Sequence, residues 1–288
     1  MQRIFALAAI LVLVLTTQML TQNKPSNDDN NNGAPQVQEL LAKAADALGG
    51  AERLRTVNSL SLSGTLRRVF PDQDRSGTYE ISFLSPDKYK KVERAEVSKG
   101  TQINLTQMLN KDGGWSGTGI KTSGLELNLD QLGAHARPLS PNARRQMRAE
   151  FAMHLLAKFL AAPAPSSVQF SYAGRAGASH ADAFMLDMRG ADDLAARVFL
   201  DPKTYLPLAM SYRGRPPMIT VDPQAAERGA QNFDTELEVR FSDYRAESGL
   251  VLPHHIRVES GGKLLEEFEM KTCRINPAEV VASDFERN

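Results

Sequence analysis

Apolar side chains recur at every second residue in one segment after another between Leu60 and Met270, and this pattern restricts the fold more than any other feature. Successive side chains of a strand point to opposite faces, so a period of two marks a strand with one dry face and one wet face. Leu60, Leu62 and Leu66 alternate with Ser61, Ser63 and Thr65. Tyr79, Ile81 and Phe83 repeat the pattern, and the turn residues Ser85-Pro86-Asp87 lead into Tyr89 and Val92. Ile103, Leu105 and Leu109 follow, then a hairpin turn expected at Asp112-Gly113-Gly114, then Trp115 and the run Leu125, Leu127, Leu129. Farther on, Val168 with Phe170 and Tyr172, Phe184 with Leu186 and Met188, and Val198 with Leu200 alternate in turn. The turn sequence Asp201-Pro202-Lys203-Thr204 precedes Leu206, Leu208, Met210 and Tyr212. Leu237, Val239 and Phe241 open a last group, which Ile256, Val258, Phe268 and Met270 continue around a hairpin turn at Gly261-Gly262. The pattern predicts about ten to eleven strands.

Helical spacing interrupts this pattern in few places. From Gln36 to Leu48 the residues Val37, Leu40, Leu41, Ala44, Ala45 and Leu48 fall on one helical face, and Gly49-Gly50 supplies a stop. A short helical piece is expected over Ala51 to Val57. Ser140-Pro141 then reads as an N-cap followed by proline at the first helical position. Beyond it Met147, Phe151, Leu155 and Phe159 lie four apart, a bulky stripe that must rest on something apolar. Strands with one dry face, interrupted this rarely, exclude a parallel α/β fold. They predict an α+β domain, mainly antiparallel β, in which helices cover the apolar face of a large curved sheet.

The N-terminus has the pattern of an export signal. Met1-Gln2-Arg3 precedes an unbroken apolar run from Ile4 to Leu15, so residues 1–22 are expected to be a signal peptide or an N-terminal anchor. Thr16 to Gln22 offers no clean pair of small residues for cleavage, and both forms stay open. No cysteine follows the run, which excludes a diacylglycerol-type anchor. Residues 23–35, rich in Asn, Asp and Pro, read as a flexible tether, and residues 36–288 as one domain. Gly214 to Asn232, with Pro216, Pro217 and Pro223, reads as an exposed polar excursion.

Chemistry-bearing residues show no catalytic pattern. The chain holds 34 basic and 34 acidic residues, whereas a nucleic-acid binder needs a basic excess. None of the histidines His135, His154, His180, His254 and His255 has the spacing of a helical zinc motif. His254-His255, adjacent on a strand, would face opposite ways and would not readily share a metal. Glu266-Glu267 and Asp192-Asp193 read as solvated carboxylates, Arg144, Arg145 and Arg148 as the wet side of their helix. Cys273, the single cysteine, reads as an inert thiol. No catalytic residue, metal or cofactor is expected.

Several motifs resemble the LolA-like outer-membrane lipoprotein-sorting proteins. Ala44-Ala45-Asp46-Ala47-Leu48-Gly49-Gly50-Ala51-Glu52-Arg53-Leu54, leading into Leu60-Ser61-Leu62-Ser63-Gly64, resembles their opening. Phe199-Leu200-Asp201-Pro202-Lys203-Thr204-Tyr205-Leu206-Pro207 is similar to their strand-turn-strand element. So are Phe241-Ser242-Asp243-Tyr244-Arg245, Gly249-Leu250-Val251-Leu252-Pro253, and the closing Asn276-Pro277 and Phe285. The resemblance implies an unclosed β-barrel with a helical lid over an apolar cavity. It also implies a periplasmic carrier or binder of lipid or lipoprotein acyl chains. The alternative is a cell-envelope interaction or sensor module of the same fold, close to the membrane and with a protein partner. The expected lid residues are Met147, Phe151, Leu155 and Phe159. The expected wall residues are Leu62, Phe83, Leu105 and Trp115 in the first half of the chain, and Phe170, Phe184, Leu186 and Phe241 in the second. Inward apolar side chains fit a packed core as well as a ligand cavity, and the pattern leaves that choice open.

Overall fold

A computed structural model describes residues 33–70, 74–111, 113–122, 125–128, 137–161, 168–177, 180–216 and 234–286. The expected signal segment, most of the tether and most of the 214–232 excursion lie outside these residues, as does Leu129. The chain begins with α1 (Gly33–Ala47) and α2 (Ala51–Arg55). It continues as β1 (Ser59–Val69), β2 (Asp74–Leu84), β3 (Lys88–Ser98), β4 (Thr101–Asn110), β5 (Gly113–Thr122), β6 (Leu125–Asn128) and β7 (Arg137–Pro138). After α3 (Pro141–His154) and α4 (Leu156–Leu160) come β8 (Val168–Arg175), β9 (Phe184–Gly190), β10 (Ala195–Leu200) and β11 (Pro207–Gly214). The chain closes with β12 (Thr235–Glu247), β13 (Leu250–Ser260), β14 (Lys263–Ile275) and a 3-10 helix at Ala282–Phe285. Among the described residues no helix is long and apolar enough to cross a membrane.

All strands join one antiparallel, curved sheet in the order β6-β5-β4-β3-β2-β1-β14-β13-β12-β11-β10-β9-β8, with β7 paired off this path to β5. Two meanders therefore meet where β1 pairs with β14, Leu60 opposite Ile275 and Leu66 opposite Phe268. The described residues contain no pairing between β6 and β8, so the barrel is unclosed. Fourteen strands exceed the expected ten to eleven. The pattern hid β5, whose Gly113-Gly114-Trp115-Ser116-Gly117 has no alternating apolar set, and β7, which has two residues.

Local chemistry explains most element boundaries. α1 stops where Gly49 and Gly50 take φ values of 111° and 99°, which a β-carbon resists. Ser140 caps α3 by accepting from the Ala143 N–H at 3.2 Å, with Pro141 in the first turn. The Met147–Phe159 stripe is not one straight helix, because Leu155 (φ −115°, ψ 21°) separates α3 from α4. The break turns α4 onto α1 and α2 and buries Leu155, Leu156 and Leu160 together.

The helices lie on the concave face. Leu40 and Ala44 of α1, Leu48 just after it, and Met147, Phe151 and Met153 of α3 join one buried cluster with the inward residues of β1–β3 and β8–β14. The outer face has its own cover. Met108 faces outward opposite Lys90, whose Nζ donates to the Asp284 carbonyl at 3.3 Å, and the 3-10 helix lies on β3 and β4 with Phe285 buried.

At the central seam the register shifts between Ser63 and Gly64, because β14 carries one extra residue, Lys271. A β-carbon on Gly64 would stand 2.0 Å from the Glu269 carbonyl oxygen and 2.9 Å from Tyr79 Cε1. Gly64→Ala is expected to lower stability by about 1–3 kcal/mol through overpacking, read as a lower urea midpoint. An unchanged midpoint would show that the seam tolerates the extra carbon.

Candidate functional site

The concave side divides into a charged region and an apolar cleft. Strand parity places Arg68 of β1, Lys91 and Glu93 of β3 and Glu266 of β14 on the inner face, all buried. Arg68 pairs with Glu266 through Nε and with Glu93 through Nη2 at 2.7 Å. Lys91 Nζ lies 2.9 Å from Glu93 Oε1 and also pairs with Glu150 of α3. Burial pushes the Glu93 carboxyl up, but Lys91 and Arg68 outweigh it and hold it at about 2. For Glu266 burial wins, helped by Glu93 and Glu150, and its carboxyl is raised despite Arg68. Glu266 is therefore not the solvated carboxylate its doublet indicated, whereas Glu267 points outward to Arg67 and His255.

Further polar contacts hold α3 in place. Arg148 Nε lies 2.8 Å and Arg144 Nε 3.6 Å from the Asp192 carboxylate, and Arg145 Nη2 lies 2.8 Å from Asp234. The basic side of α3 is thus a set of ties to the β9–β10 turn and to the start of β12, not a free wet face. On the other side Gln146 Nε2 donates to the Tyr212 hydroxyl at 3.4 Å, while its Oε1 accepts from the Arg215 N–H at 3.1 Å.

The apolar cleft lies at the C-terminal end of α3. Its walls are Leu60 and Leu62 of β1, Tyr79 of β2, Leu252, Pro253 and Ile256 of β13, and Phe268 and Met270 of β14. It measures about 370 Å³ with the open solvent at its mouth, and its enclosed part has room for about one water. In this conformation an acyl chain needs the walls to part. Two imidazoles, His154 of α3 and His254 of β13, complete the lining. His154 Nδ1 lies 2.8 Å from the Glu150 carbonyl oxygen, which only accepts, so Nδ1 carries the proton. Burial lowers the ring to about 3, and it is neutral at ordinary pH. Its Nε2 is closed off from solvent and has no hydrogen-bond partner. His254 is 4% exposed; its Nε2 lies 3.0 Å from Glu247 Oε1, but neither ring nitrogen has a hydrogen-bond partner.

The residues expected to line a cavity are placed unequally. Leu62 is on the cleft wall. Met147, Phe151, Leu155, Phe83, Leu186 and Phe241 are buried in the concave cluster, with Phe159, Phe170 and Phe184 partly buried at its margin. Phe151 is tightly packed, its ring 5.1 Å from Tyr89, 5.3 Å from Phe159 and 5.7 Å from Phe83. Leu105 shares the inner face but sits opposite Glu93, outside the cluster. Trp115 pairs with Met108 and faces outward, away from the helices. The sequence reading missed His154, Tyr79, Phe268 and the charged set. The parity that places Tyr89 inward also points to Lys91 and Glu93, and Ile256 points likewise to His254. Cys273 is half-buried, and burial pushes its thiol up to about 12, an unreactive form.

The charged set supplies a test. A carboxyl depressed in the folded state contributes stability above its unfolded value, and that contribution is lost as pH falls through the folded one. Stability is thus expected to drop between about pH 4.5 and 2 as Glu93 takes up its proton. Glu93→Gln is expected to cost about 3–5 kcal/mol at neutral pH, because it leaves Arg68 and Lys91 undercompensated. Urea titrations at several pH values check both; a cost near zero would show that water already screens the network.

No family model and no curated protein matches this sequence. Among solved structures, a LolA superfamily protein from Nitrosomonas europaea superposes with a TM-score of 0.51 at 11% identity, covering 87% of this chain and 97% of that one. A DUF1329 family protein from Desulfovibrio piger gives 0.48 at 10% identity over 88% and 96%. An outer-membrane lipoprotein-sorting protein domain from Vibrio parahaemolyticus gives 0.47 at 12% over 85% and 97%. An unclosed antiparallel sheet with helices on its concave face, matched over almost the whole length of the first of these, is a divergent LolA-like fold.

Proposed function

We propose that the protein is a periplasmic binder or carrier of lipid or lipoprotein acyl chains, which it holds in the cleft under the end of α3. The observation that carries this reading is the cleft itself, whose walls are aliphatic and aromatic apart from two imidazoles. Sheltering an acyl chain from water is worth about 0.8 kcal/mol per methylene, so a cleft that widens as α3 moves repays the movement within a few carbons. The LolA-like fold and the apolar run from Ile4 to Leu15 support the same reading. Uptake and release both need α3 to shift, and the Leu155 break is the place where it parts from α4.

The test is native mass spectrometry of protein purified from the envelope without detergent, with extraction of bound lipid. About one acyl species per chain is the expected result. Leu62→Trp, which fills the cleft from its wall, is expected to lower acyl occupancy at least about tenfold while the β-rich spectrum remains. Normal occupancy in that variant would place the ligand elsewhere.

A second reading, an envelope interaction or sensor module without transport, draws on the ties that hold α3 shut through Glu150, Arg148, Arg145 and Gln146. A clean unliganded mass that stays unchanged after mixing with envelope lipids would favour it.

A further inference from the structure

The two imidazoles make the cleft chemically selective. In neutral His154 the proton is on Nδ1, so Nε2 keeps a bare lone pair, in a ring that lines a largely apolar space. Tyr79 and Phe268 stand beside that ring, at 6.3 Å and 5.6 Å between centroids, and neither offers it a donor there. His254 approaches from the sheet side: its Nε2 lies 3.0 Å from the Glu247 carboxylate, neither ring nitrogen has a hydrogen-bond partner, and the ring is almost wholly buried. A buried acceptor without a donor costs about as much as a lost hydrogen bond, and a ligand that brings a donor recovers that cost.

Resting on the acyl-chain reading above, we infer that the cleft selects a neutral amphiphile whose polar end carries free hydroxyl donors, of the acylglycerol class, over an anionic lipid. A hydroxyl donates to the His154 Nε2 lone pair and, where a second is present, to His254, while the chain lies along Leu62, Ile256 and Phe268. A carboxylate or phosphate has only acceptors to offer. It would meet the His154 lone pair and, beside His254, the Glu247 carboxylate, so its desolvation goes uncompensated. The charged groups nearest the lid end do not reverse this. Lys91 is already engaged by Glu93 and Glu150, and Arg68 by Glu93 and Glu266.

The experiment is a competition on the full chain against pyrene-dodecane, a hydrocarbon probe with no polar end. The competitors are 1-monooleoylglycerol, its di-O-methyl ether, oleate at pH 8 and vesicles of dioleoylphosphatidylmethanol, an anionic phosphodiester with no hydroxyl donor. The wild type is expected to bind monooleoylglycerol about five- to tenfold more tightly than the ether, which keeps the chain and removes the donors. Oleate and the phosphatidylmethanol vesicles are expected to compete more weakly still. His154→Leu is expected to bring alcohol and ether to within about twofold with pyrene-dodecane binding retained, and His254→Leu to narrow the gap in part. Equal wild-type affinities for alcohol and ether, or tighter binding of either anionic lipid, would overturn the selectivity while leaving acyl binding intact. Failure of pyrene-dodecane and every competitor to bind the wild type would overturn the acyl-binding reading, and this inference with it. The wild-type comparison decides the matter even if a variant does not fold.

Discussion

Pairing of β1 with β14 brings Leu66 against Phe268 and Arg68 against Glu266, residues from opposite ends of the domain. Without that seam the chain is two separate meanders, each with an apolar face and an open edge that nothing covers. With it, one curved surface forms, and its concave side needs a cover. The helices on either side of the β1–β7 half supply it, α1 and α2 before and α3 and α4 after. Gly64, beside the β14 bulge at Lys271, is the local adjustment that lets this happen, because the Glu269 backbone approaches too closely there for a side chain.

The same seam brings the buried charges together. Arg68 and Glu266 meet only because their strands are neighbours, and Glu93, Lys91 and Glu150 extend the set from β3 to the lid. Such a network contributes little net stability compared with a well-packed apolar alternative, yet removing one member is costly. Its effect here is geometric: it tolerates one position of α3 over the sheet and penalises others. The apolar cleft lies beyond this charged set, at the end of the same helix, so the position of α3 governs the volume available there. A lid held by polar contacts is easier to lift in part than one sealed by hydrocarbon alone, since water replaces each released contact.

The fold class was legible because its signal is periodic and local. A stretch such as Leu60 to Leu66 or Tyr79 to Phe83 has only one way to bury its apolar side, and the Ser140-Pro141 cap announced α3 to the residue. The misses have equally physical causes. β5 is built of glycine, serine and threonine, which pair through their backbones and leave no hydropathy trace. Trp115 was set inside by its size alone, but its register with Met108 turns it outward. The stripe from Met147 to Phe159 indicated a face that packs on apolar side chains, but could not reveal the break at Leu155 or distinguish packed rings from a lined cleft.

What the sequence alone determined is the set of one-sided strands and the helices that must cover them, since each rests on neighbours within a few residues. The tertiary structure decided which charges are buried, where the apolar interior stays open, and that two histidines distant in the chain, His154 and His254, line the same cleft. Those outcomes depend on strand order and register across the β1–β14 seam. Pairing between remote strands is chosen by the summed fit of many weak contacts, so no short stretch of residues contains it.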